Sequence, residues 1–181
     1  VPRKAGESGG RQAMRKLGSA RLPLHKLLDK DYSFQAQEIL FQTGDQQEVR
    51  IGKLFYRMRP RKPLDEAVKW YRQRKQVTAA RAEDIDGKED ERGPRLQIVE
   101  IEVKSARSLR ISGTQNAFVE QSMLPFFAYD FFTFSHTSAV VQGADPVFND
   151  KKQYQVEATN EFLGYMRSAK SILKIDFIDE N

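Results

Sequence analysis

The sequence predicts a mainly β protein, an antiparallel β-sandwich whose strands are interrupted by one connecting α-helix. Three observations carry that expectation. Short apolar runs, alternating or continuous, recur along the chain with turn signals between them. Aromatic residues concentrate in those runs, with 12 Phe and 6 Tyr in 181 residues. Sustained helical spacing is confined to the stretch that follows Pro63.

Val1 to Lys16 is rich in Gly and basic residues and lacks periodicity, so residues 1–16 are expected to be a flexible segment. From Leu17 to Leu28 the chain alternates, with Ala20, Leu22 and Leu24 on one face and Arg21 and Pro23 on the other. The proline limits this strand to an edge or to its own end. Phe34 to Gln42 is a second strand, closed by a turn at Thr43-Gly44-Asp45. Val49 to Arg59 is the clearest strand of the first half. Leu54, Tyr56 and Met58 share one face, and Lys53, Phe55, Arg57 and Arg59 share the other. After Pro63 the period changes: Leu64, Ala67, Val68 and Tyr71 fall at helical spacing, and Asp65 and Glu66 suit the N-terminal end. A helix over about residues 63–78 is predicted, followed by a charged linker at 79–94 that ends in Gly-Pro. Leu96 to Val103 alternates with Val99, Ile101 and Val103 together. Phe126 to Phe134 is aromatic on both faces, as a sandwiched central strand would be. A tight turn at Ser135-His136 leads to a continuation at Ser138–Val141, and Tyr154–Val156 and Ile172–Ile178 are further strands. Asn160 to Ala169 makes one or two helical turns between them.

Composition narrows the function classes. With 39% hydrophobic and 30% charged residues the chain has material for a core. No apolar run approaches the roughly 20 residues of a membrane helix. A secretory signal is not expected from the short, polar, glycine-rich Val1–Gly10, and without cysteine there is no disulfide, thiol nucleophile or thiolate metal site. A cytoplasmic setting is the expectation. The net charge of +5 is unevenly spread. Residues 1–82 hold 19 Lys/Arg and 8 Asp/Glu, whereas residues 83–181 hold 11 and 17. Such a division fits two units with different surfaces, or a basic half that meets an acidic partner; solvated cations clustered near a linker account for it equally well.

The order of motifs has a known counterpart. A strand ending in GKLFYRMRPRKPLDEAVKWYRQR, an acidic linker, LQIVEIEV, PFFAYDFFTFSHTSAVVQGADPVFND and LKIDFIDEN follow one another. This order resembles C2 domains, most closely the tandem C2 pair of the RPGR-interacting protein and fantom family of ciliary scaffolds. The most specific part is Tyr129 to Phe134 with His136, then Asp145-Pro146-Val147-Phe148-Asn149-Asp150, which looks like the turn after the third strand of many C2 domains. On that resemblance residues 17–62 are the closing strands of a first C2-like domain and residues 95–181 the opening strands of a second. The alternative is that both halves form one permuted C2 sandwich. The resemblance implies a non-catalytic, calcium-independent protein-interaction scaffold of the cytoskeleton, at the cilium or flagellum base or transition zone. Its implied partners are other ciliary and basal-body proteins.

Calcium binding needs several converging carboxylates. The loop from Ser105 to Pro125 offers Glu120 alone, and Asp176 lies in a strand before Asp179-Glu180. No metal site and no cofactor are predicted. The alternative to a protein scaffold is a peripheral module for anionic phospholipid, using the basic stretch 57–75. Its contact residues, for lipid or protein partner, would be Arg57, Arg59, Arg61, Lys62, Lys69, Arg72, Arg74 and Lys75. A solvated basic face is the ordinary account of such a cluster. Nucleic acid is not expected, because no recognised module accompanies Tyr56, Trp70 and Tyr71. No catalytic residues are predicted either. His25 and His136 are far apart, and Ser135 beside His136 is not a triad, since adjacency does not give the geometry.

Overall fold

The structure is a computed structural model that describes residues 14–28, 35–43, 45–61, 64, 69, 96–113, 121–168 and 171–180. The strands are β1 (Arg15–Pro23), β2 (Gln35–Gln42), β3 (Glu48–Pro60), β4 (Leu96–Arg107), β5 (Pro125–Phe131), β6 (Phe134–Thr137), β7 (Val147–Glu157) and β8 (Ile172–Asp179). Helix α1 (Asn160–Arg167) lies between β7 and β8. All the pairings are antiparallel, in the order β6-β5-β8-β1-β2-β3-β4-β7.

The order folds into two four-stranded layers. β1 and β2 meet at a single register pair, Ser19 opposite Leu40, so the sheet turns its corner there. At the other end the layers meet through side chains: Phe134 of β6 and Phe131 of β5 lie 5.1 and 5.4 Å, ring to ring, from Tyr154 of β7. Between the layers sits one core. Leu17, Ala20 and Leu22 of β1, Leu54, Tyr56 and Met58 of β3, Val99, Ile101 and Val103 of β4, and Leu173, Ile175 and Phe177 of β8 are all buried in it. In β3, β4 and β8 alternation puts them there, because every second residue points inward; in β1 the register is interrupted between Lys16 and Gly18, and Leu17 and Ala20 lie three residues apart. Fold class therefore follows the sequence pattern: a C2-type antiparallel sandwich.

The division into two domains differs from this arrangement. β3 pairs with β4 from Lys53–Arg107 to Pro60–Val99, and Leu54, Tyr56 and Met58 share a core with Val99, Ile101 and Phe131. Residues 17–62 supply three strands and residues 95–181 supply five, so the eight strands make one sandwich in place of two incomplete ones. The physical reason is complementarity. Either set alone would leave an apolar face and open sheet edges in water.

Several element boundaries also differ. The aromatic run is a hairpin rather than one central strand: β5 and β6 pair from Phe131–Phe134 to Ala128–Thr137, with Phe132-Thr133 as the turn. His136 therefore lies within β6, not in a turn. β4 continues to Arg107, four residues beyond the predicted end, and carries a bulge where the register skips Lys104. β7 begins at Val147, so most of the predicted turn at residues 145–150 is strand. Residues 138–141 are not strand; Ser138 and Val141 donate their N–H groups to Phe127 and Pro125 carbonyls. Leu64 and Lys69 are helical, while the remainder of the 63–78 helix, the 79–94 linker and residues 1–13 lie outside the described residues.

Helix α1 starts at Thr159, whose Oγ1 accepts the Phe162 N–H at 3.2 Å. Phe162, Leu163 and Met166 are buried, and the helix packs on the 3-10 turn Leu24–Leu28.

Candidate functional site

The inward positions of β3 leave Lys53, Phe55, Arg57 and Arg59 on the outer face of the β2-β3-β4-β7 layer. Directly paired residues on neighbouring strands point the same way, so the register writes this face as rows. One row is Glu38, Lys53 and Arg107; the next is Ala36, Phe55, Ser105 and Val147. A third is Arg57, Glu102 and Lys151, and a fourth is Arg59, Glu100 and Gln153. Cations thus gather on one sheet face from strands that are far apart in sequence.

The fourth row is closed electrostatically. Glu100 is 2% exposed, and its carboxylate accepts from Arg59 Nε, Lys151 Nζ and Gln153 Nε2, each at 3.0 Å. Burial pushes its carboxyl up, but the bonds from Gln153, Lys151 and Arg59 outweigh that and hold the pKa at about 2. Arg59 is therefore a structural partner of Glu100 before it is a contact for anything outside.

The first two rows differ. Lys53 and Arg107 face each other across the two strands, and both lie over the Phe55 ring, at 5.9 and 5.2 Å from its centroid. These are cation–π distances. Val147, at the outer end of the Phe55 row, is 57% exposed.

Of the residues predicted to touch a partner or lipid, Arg57 and Arg59 lie side by side on this face. Arg61 is exposed just beyond β3, and its backbone N–H donates to Ile98 O at 2.7 Å. Lys69 is exposed. Lys62, Arg72, Arg74 and Lys75 lie outside the described residues. Arg107 and Lys151 were not singled out by the sequence, because they enter the face only when β4 and β7 pair with β3. No period-two signal marked this extension, because the bulge at Lys104 breaks the alternation between Val103 and Ala106.

The opposite seam holds the protein's polar aromatic cluster. The Tyr129 and Tyr154 hydroxyls are hydrogen-bonded at 2.9 Å, and burial pushes both phenols up. His136 Nε2 lies 3.0 Å from Asp150 Oδ1, tying β6 to β7. The arrangement bridges the two layers where they share no backbone ladder. The acidic residues of β8 are also internally engaged. Asp176 Oδ1 accepts from Ser19 Oγ at 2.6 Å and Lys16 Nζ at 2.9 Å, and these partners outweigh burial to lower its pKa. Asp179 accepts the Leu124 N–H at 2.9 Å and pairs with Arg15 at 3.3 Å. Among the described residues no group of three or more His, Asp or Glu could hold a metal ion, and no helix is long and apolar enough to cross a membrane.

Comparison with known proteins agrees with this geometry. Residues 89–176, just under half of the chain, match the family described as the first C2 domain of RPGR-interacting protein 1. The match takes in β4 to β7, α1 and part of β8; β1 to β3 lie outside it. No curated protein matches the chain in sequence.

Proposed function

With residues 89–176 matching a C2 domain of the RPGR-interacting type, we propose that the chain is a non-catalytic protein-interaction scaffold module. The family match is the observation that carries this reading. The module is calcium-independent and works at the base of the cilium or flagellum with other ciliary and basal-body proteins. In support, Glu100, Asp176 and Asp179 are engaged by the protein's own cations and backbone. The contact residues proposed are Arg57, Arg59, Arg61, Lys62, Lys69, Arg72, Arg74 and Lys75.

The test is location and calcium response. A fluorescently tagged chain is expected to concentrate at the cilium base of ciliated cells, and micromolar calcium is expected to leave the thermal midpoint unchanged. A diffuse signal sinks the ciliary assignment, and a shift of several degrees sinks calcium independence. A second reading, anionic-phospholipid binding through residues 57–75, draws on the outward Arg57 and the exposed Arg61 and Lys69. Salt-sensitive pelleting with anionic liposomes, lost when Arg72, Arg74 and Lys75 are neutralised, would favour it.

A further inference from the structure

Two cation rows on the β2-β3-β4-β7 face have different fates. Arg59 and Lys151 are neutralised by Glu100. Lys53 and Arg107 instead oppose one another directly, and like charges so placed are destabilising. Glu38 lies across from Lys53 on β2, but its Oε1 is held by Arg50 Nη1 at 3.2 Å. Lys53 and Arg107 rest over one ring, which leaves their charged ends open to an anion. The Phe55, Ser105 and Val147 row runs beside them to the outer strand β7 and offers an apolar strip.

We propose that this place, Lys53 and Arg107 with the Phe55–Val147 strip, docks an acidic segment of a partner protein. Carboxylates of the segment meet Lys53 and Arg107, and an aliphatic side chain between them lies on Phe55 and Val147. Charge complementarity selects this occupant. An anionic membrane would press on the whole face, where Glu38, Glu100 and Glu102 stand among the cations, and membrane recruitment draws on larger clusters of unopposed cations. A single extended segment along these two neighbouring rows stays clear of Glu100 and Glu102 and meets only Glu38, which Arg50 engages. The proposal rests on the reading of the chain as a protein-interaction module and names the chemistry of its partner.

The experiment is fluorescence anisotropy with the full chain and a labelled nine-residue peptide that alternates glutamate with valine. A peptide alternating lysine with valine and vesicles containing phosphatidylserine serve as comparisons. The glutamate peptide is expected to bind in a salt-sensitive way. Lys53→Glu and Arg107→Glu are expected to weaken binding at least tenfold, while Lys26→Glu, an exposed cation on the 3-10 turn Leu24–Leu28, changes it less than twofold. The thermal midpoint of Arg107→Glu should be unchanged or raised, because it turns a repulsive pair into an attractive one. Absence of peptide binding, equal binding of the lysine peptide, or equal loss in Lys26→Glu overturns the proposal. So does loss confined to vesicle binding. Were peptide binding absent while the tagged chain still reached the cilium base, only this docking point would fall. A diffuse tagged chain with intact peptide binding would count against the ciliary reading alone.

Discussion

Glu100 faces outward on β4 and is nevertheless buried, because Arg59, Lys151 and Gln153 close over it. Its folded pKa of about 2 lies below the ordinary 4.5. The stability this contributes is complete above pH 4.5 and is lost as pH falls toward 2, on the order of 2–3 kcal/mol. Urea unfolding at pH 7 and pH 2.5 should show a smaller acid loss, by that amount, in Glu100→Gln than in the unaltered chain. Equal losses would mean that the network contributes nothing. The aromatic run separates by residue in the same way. Phe131 is fully buried against Tyr154, Phe162 and Tyr165, so Phe131→Ala should cost about 3–5 kcal/mol. Phe132 is half-buried at φ 54°, where a side chain strains the backbone, and its ring lies on Phe162 and Tyr165. Phe132→Gly should therefore be more stable than Phe132→Ala by about 1 kcal/mol in thermal denaturation, the reverse of the usual order. The sequence singled out Phe131 and Phe132 as core together. Nothing in their spacing reveals that one occupies a left-handed turn, because that depends on β6 folding back onto β5.

Strand existence was legible element by element, and the reason is the period of two. Leu54, Tyr56 and Met58, or Val99, Ile101 and Val103, mark their inward faces without reference to any partner. Ends and joints were less legible, since they are set by pairing. β4 runs on to Arg107 because β3 and β7 flank it, and the bulge at Lys104 keeps Ala106 inward after the skipped position. The corner between β1 and β2 is a joint of this kind. Gly18 sits there, beside an irregularity in the β1–β8 register, and an added Cβ would lie 2.7 Å from Leu40 O and 2.7 Å from Ile51 Cδ1. Leu40 O is backbone and cannot rotate away. Gly18→Ala should cost about 1–3 kcal/mol in chemical denaturation, and a neutral result would show that the corner can open without loss.

At the scale of the whole molecule, the pattern of apolar faces did not decide how the strands are shared. Three strands from the first half and five from the second each read as part of a sandwich, and it is the β3–β4 and β1–β8 pairings that join them. The candidate face shares that property: Lys53 was visible on its own strand, whereas its meeting with Arg107 depends on a register that links positions 54 residues apart. Deleting residues 1–61 should uncover Val99, Ile101 and Val103 along an open β4 edge. The remaining fragment is expected to bind a hydrophobic dye and to lose its cooperative thermal transition. A sharp transition in that fragment would show that β4 to β8 sustain a core unaided.

β8 stands between β5 and β1, and it alone joins those two strands in their layer. During synthesis β1 therefore waits for a neighbour that is made far later: Arg15 and Asp179, which end up opposite each other, are separated by 164 positions. Such closures place a domain toward the slow end of β-protein folding. Until residues 172–179 emerge, β1 and β5 each keep an edge uncovered, and this is the interval in which the nascent chain is most exposed to wrong pairing. The eighth described strand is the one that locks the layer, so stopped-flow refolding should be timed by the arrival of β8 between its two neighbours.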